Sequence, residues 1–152
     1  MSTIKVEEIQ HPSNSNNAVS IASDSSVALK HSGNQKLITS SSGVIITGSC
    51  TVGAINDTVF AITDASSVAL DPDNGMVQTW TLGANRTATD SLTTGQSMLL
   101  VITASSSNYT LTWPTMTWSG GSAPTLGGAT PTAIVLWKIS STLYGATVGD
   151  LG

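Results

Sequence analysis

Charge is what this 152-residue chain has least of: only 9% of its residues are Asp, Glu, Lys or Arg, against about 25% in an ordinary soluble domain. Low charge can mark a membrane protein, but the longest apolar run is Met98 to Ile102, far short of the roughly 20 residues that a spanning helix needs. The opening MSTIKVEEIQ also lacks the basic-then-apolar layout of a secretion signal. Both readings predict a soluble chain without a membrane partner. Arg86 is the only arginine, and the net charge of -4 leaves no basic cluster to neutralise phosphates, so nucleic acid is excluded as a partner. A single cysteine, Cys50, excludes an internal disulfide and any multi-cysteine metal site.

Titratable groups for catalysis are equally scarce. The two histidines, His11 and His31, lie in turn-rich stretches, and the many serines form no nucleophile-elbow pattern. The only glutamates, Glu7 and Glu8, are adjacent, so on a strand they point to opposite faces and cannot work on one bond. Asp71-Pro72-Asp73-Asn74-Gly75 has the look of a cation loop but lacks the distal bidentate glutamate, and its residues are ordinary turn formers. Gly120-Gly121 and Gly127-Gly128 are followed by no Lys-Ser/Thr that would make a phosphate loop. The expectation is a non-enzymatic protein with no catalytic residue, no metal and no cofactor.

What the chain has instead is serine and threonine, together about 30% of residues. Threonine, valine and isoleucine are stiff at χ1 and fit a pleated surface, which predicts strands rather than disorder. No window carries a long apolar stripe of helical period, so essentially no helix is expected. In the first half, strands are predicted at Ile4–Ile9, Ala18–Ala22, Val27–Lys30, Leu37–Thr39, Val44–Thr47, Val52–Ile55, Val59–Thr63 and Val68–Leu70. Ser25-Ser26-Val27-Ala28-Leu29 recurs as Ser66-Ser67-Val68-Ala69-Leu70, each with an aspartate upstream, a hint of related strands. In the second half, Met76–Leu82 and Tyr109–Trp113 alternate, and Met98–Ile102 reads as a strand buried on both faces. Thr132–Ile139 and Leu143–Val148 flank a predicted closing hairpin at Ser140–Thr142.

Six of the seven aromatic residues lie beyond residue 79. The compact unit is therefore expected at 76–152 as a β-sandwich or jelly-roll-like domain. Residues 1–75 are expected to form an extended β arm of short strands for attachment or oligomerisation. Such thin strands need a partner face, which neighbouring copies would supply. Between Ser91 and Gly149 the only charged side chain is Lys138, again less than a free monomer usually carries. Trp113 shares a strand face with Tyr109 and Leu111 and is assigned to the core. Trp118 and Tyr109 are the candidates for a surface that stacks a glycan. Ile4, Val6 and Ile9, apolar residues in a polar terminal segment, are the candidates for a docking contact that orders the arm.

Two stretches of sequence carry a resemblance. Trp80-Thr81-Leu82-Gly83-Ala84-Asn85-Arg86-Thr87, Tyr109-Thr110-Leu111-Thr112-Trp113-Pro114 and Trp118-Ser119-Gly120-Gly121-Ser122-Ala123-Pro124-Thr125-Leu126, with Ile134–Lys138 and Leu143-Tyr144-Gly145, resemble a module of phage tail-fibre and virion structural proteins. The opening Thr3–Gln10, followed by the Ser-Asn tract and Val19-Ser20-Ile21, is similar to the N-termini of small structural proteins of marine phages. The resemblance implies a β-rich, often trimeric particle component with no catalytic residues to carry over. Its partners would be major capsid or tail proteins, with a host surface glycan as a further candidate. It would be located in the virion, on the capsid surface as a decoration or short head fibre, or alternatively in the tail.

Overall fold

The computed structural model of the chain describes residues 6–10, 16–106 and 108–152. Its regular structure is extended apart from one 3-10 turn at Pro72–Asn74, so the chain is all-β, as its content of β-branched residues predicts. The backbone divides into two units, residues 1–55 and 56–152. This boundary falls earlier than the one expected between 75 and 76. The cause is strand pairing: residues 59–61 and 67–70 hydrogen-bond to strands that come later in the chain, and so belong to the second unit.

The first unit is an antiparallel meander in chain order: β1 (Glu8–Gln10), β2 (Asn17–Ile21), β3 (Val27–His31), β4 (Asn34–Ser40) and β5 (Gly43–Ile46). Its turns follow local chemistry. Asp24 Oδ1 accepts from the Ser26 amide at 2.9 Å, and Ser32 and Gly33 both take positive φ, as a two-residue hairpin of mirror-image type requires. The strand expected at Val52–Ile55 does not form. Residues 47–58 have no regular structure and are exposed throughout, because a strand there would have no hydrogen-bonded neighbour.

The second unit is two sheets packed face to face. One contains, in spatial order, β12 (Thr117–Trp118), β14 (Thr142–Asp150), β13 (Thr132–Ile139), β10 (Ser97–Ala104), β8 (Val77–Leu82) and β6 (Val59–Ala61). The other contains β11 (Leu111–Thr112), β9 (Arg86–Asp90) and β7 (Ser67–Leu70). In layers this is a sandwich, but its winding differs from that of a jelly roll. From β6 to β11 the chain alternates between the sheets, and within each sheet these strands run parallel. Val59 lies opposite Val77, and Val77 opposite Leu99, so one coil takes 18 residues and the next 22. Parallel neighbours need a long crossover, and here the crossover is a strand of the facing sheet. Three coils wind this way before the antiparallel β13–β14 hairpin closes against β10.

Alternation fixes what each strand buries. Trp80 and Leu82 on β8, Met98, Leu100, Ile102 and Ala104 on β10, and Ile134 and Leu136 on β13 point inward to meet Leu70, Ala88 and Leu111 of the smaller sheet. β13 and β14 extend beyond the reach of the smaller sheet. There the segment carrying Trp113, Met116, Trp118 and Leu126 packs on the core instead. Gly145 makes this possible: a Cβ there would lie 2.5 Å from Met116 Cε and 2.8 Å from the Trp118 ring.

Candidate assembly surfaces

The meander of the first unit has two unequal faces. Residues directly opposite in antiparallel strands share a face, and the register places Ile9, Val19, Leu29, Leu37 and Ile46 in one row across all five strands. Two residues along, Ile21, Val27, Thr39 and Val44 continue that face. Ile9, Ile21, Leu29, Val44 and Ile46 are exposed, Ile9 by 53%. Among the described residues of the first unit, only Ala28 is buried. The opposite face, through Glu8, Ser20, Ala28, Ile38 and Ile45, is mixed.

A second such face lies on the outside of the six-stranded sheet. Val59, Val77, Leu99, Val135 and Ala146 form a row across five strands. Beside it run Ser97, Trp137, Tyr144 and Thr117, and on the other side Ala61, Thr79, Val101 and Ala133. Trp137 and Tyr144 are cross-strand partners whose rings stack at 5.8 Å and 11°. Every residue in these rows is apolar or carries a hydroxyl. Most are half-buried by their neighbours, and Val59 is 66% exposed.

The two cations of the second unit are committed elsewhere, to pairs with Asp64 and Asp90. Asp64, in the β6–β7 connection, accepts from Trp80 Nε1 at 2.9 Å, from the Gly83 amide at 3.1 Å and from both Nε and Nη2 of Arg86. These bonds, the Arg86 guanidinium first among them, lower the pKa of Asp64 from an ordinary 3.8 to about 2. Asp90 takes Lys138 Nζ at 2.5 Å. The first and last residues of β9 are thus each half of an ion pair, and both cations of the unit are used. Gln78, fully buried, donates to the Asp71 and Gly75 carbonyls and fixes the corner between β7 and β8.

The residues singled out in the sequence fall into several places. Ile4 and His11 lie outside the described residues. Val6 is exposed just before β1, while Ile9 stands in the apolar row of the first unit. Trp118 is no free-standing platform: it lies partly buried over Gly145 and meets Trp113 edge-on at 5.0 Å. Tyr109 is likewise packed on the core. Trp113 does contact the core but remains partly exposed, and the deeply buried indole is Trp80, at 1%. Asp71 caps the 3-10 turn by accepting from the Asp73 amide, and Asp73 accepts from Gln96. His31 and Cys50 are exposed, and the described residues contain no group of three or more His, Cys, Asp or Glu placed to hold a metal. An open depression of about 520 Å³ in the first unit, lined by Asp24, Ser26, Ile38, Thr39 and Ser40, offers one carboxylate, already bonded to the Ser26 amide. The two sheet faces were not foreseen as such. Their signal was alternation within each strand, which becomes a surface only once register is known.

No family model matches the chain, and comparison with curated proteins and with solved structures finds no match to either.

Proposed function

We propose that this chain is a non-enzymatic structural component of a bacteriophage particle, a homotrimer that sits on the capsid surface as a decoration or short head fibre. In this reading the first unit seats the protein on a major capsid protein, and the second unit is the displayed body. The observation that carries it is the apolar row Ile9, Val19, Leu29, Leu37 and Ile46, of which Ile9, Leu29 and Ile46 are exposed. A five-stranded sheet with one apolar face and, among its described residues, a single buried one is marginal alone, and covering that face supplies the missing burial. Each aliphatic side chain covered contributes roughly 1.5–3 kcal/mol before ordering costs, so one row in three copies can hold a trimer on its site. Support also comes from the sequence resemblance to virion structural proteins and from the commitment of Asp64, Arg86, Asp90 and Lys138 to structural pairs.

Leu29→Asp places a charge in the middle of the row and leaves the sequence of the second unit unchanged. It is expected to abolish binding to particles that lack the protein, while the purified variant keeps its strand-type circular dichroism. Full occupancy of bare particles by Leu29→Asp would show that the docking surface lies elsewhere. Locating the wild-type protein in a particle reconstruction decides between capsid and tail.

A further inference from the structure

We infer that copies of this chain meet through the outer face of the six-stranded sheet, with Val77, Leu99, Val135 and Ala146 and the stacked Trp137–Tyr144 pair at the contact. The inference deepens the trimeric reading above, rests on it, and assigns its interface. The occupant of the face is the same chain: in a trimer the three faces turn toward one axis, and each is covered by its two neighbours.

The first argument is burial. Parallel strands are ordinarily covered on both faces, yet within the second unit β6, β8 and β10 are covered by the core on one side only. Their outward residues Val59, Val77, Leu99 and Val101 are as aliphatic as a covered face would be. The second argument is charge. Residues 56–152 contain six aspartates, one arginine and one lysine. Both cations are already paired, and none of the eight charged residues stands in the rows of this face. A cationic or anionic partner would find no counter-charge here. Two copies of an acidic chain can approach closely only where carboxylates are absent, and this face meets that condition.

The third argument is area. At about 4.8 Å per strand and 3.3 Å per residue, β6, β8, β10, β13 and β14, with 3, 6, 8, 8 and 9 residues, together cover about 540 Å². That is on the order of 500 Å² per copy before side-chain relief, so even two copies reach the roughly 1,000 Å² that a specific interface needs. Aliphatic side chains in the middle row, an aromatic pair beside them and an absence of charge also match the composition of interface cores.

Sedimentation of the full chain at micromolar concentration is expected to give three times its 15.5 kDa mass. Val135→Asp is expected to reduce this to a single 15.5 kDa species with unchanged strand-type circular dichroism. In a Cys50→Ser background, Val135→Cys or Leu99→Cys is expected to oxidise to a covalently linked pair of chains, a readout that holds even where the aspartate variant fails to fold. A monomeric wild type overturns the inference. So does a wild-type oligomer in which neither cysteine cross-links. The Leu29→Asp experiment reads particle docking separately: loss of docking in that variant with no cross-link here overturns this interface alone, and cross-linking with docking retained overturns the proposed seat alone.

Discussion

Asp64 gathers four N–H donors from three residues at one corner of the coil. Trp80 Nε1 belongs to a ring that is 1% exposed, and Gly83 N lies at the turn between β8 and β9. Asp64→Ala would strand a buried indole N–H and free the Arg86 guanidinium. Leaving a buried donor unsatisfied costs about 1–3 kcal/mol, and a hydrogen bond to a charged group adds to that. The expected loss is about 2–4 kcal/mol in urea denaturation, with Asp64→Asn milder because its amide oxygen can still accept from the indole. The same carboxylate sets an acid limit. Its folded pKa, about 2, lies below its ordinary 3.8, so the folded state holds fewer protons than the unfolded one. Its contribution is therefore full above about pH 4 and disappears as the pH falls toward 2. Screening at a partly exposed pair holds that contribution to about 1–2 kcal/mol. The drop in midpoint between pH 4 and pH 2 should shrink in Asp64→Ala.

At the scale of elements, strand type and position were largely legible, and strand partners were not. Thr132–Ile139 was read to the residue, and β2, β3, β5, β7, β8 and β10 lie within two residues of their expected ends, because alternation and turn chemistry are local. β9 was missed, since Arg86–Asp90 buries only Ala88 and shows no apolar alternation. The repeated Ser-Ser-Val-Ala-Leu misled in the other direction. Its first copy lies in β3 of an antiparallel meander and its second in β7 of a parallel sheet, so five shared residues do not mark a shared environment. The real repetition, coils of 18 and 22 residues, leaves no motif because the coils differ in length and the residues that pair across them, Val59, Val77 and Leu99, share only their apolar character. The aromatic pattern likewise pointed to Trp113, while Trp80 holds the centre; alternation tells which side a residue faces and not how deep that side lies. Gly145 illustrates the same limit, its role being set by Met116 and Trp118 from a distant segment. Gly145→Ala is expected to lift the Trp118 ring off β14, shift tryptophan emission to the red and cost about 1–3 kcal/mol, the range for overpacking.

Across the whole molecule, burial is divided very unevenly. The second unit contains the entire apolar core, Leu70 through Leu143, whereas the described part of the first buries Ala28 alone. A fragment spanning residues 56–152 is therefore expected to unfold in urea with a cooperative transition close to that of the full chain. A fragment spanning 1–55 is expected to show no such transition as a monomer. A non-cooperative 56–152 fragment would mean that the coil depends on the meander.

The coil of the second unit is stopped at one end by the β13–β14 hairpin, while at the other β6 and β7 are edge strands with unpaired backbone in both sheets. Nothing in the winding itself sets the number of turns. Each coil contacts only the one before and the one after, as in stacked repeat proteins, so the body behaves as a ruler. Duplicating residues 77–98 in place would add one rung, lengthening the coil by about 4.8 Å, while leaving the hairpin and the first strands as they are. A body of this build grows longer by repeating a stretch of its gene, with no new fold to invent.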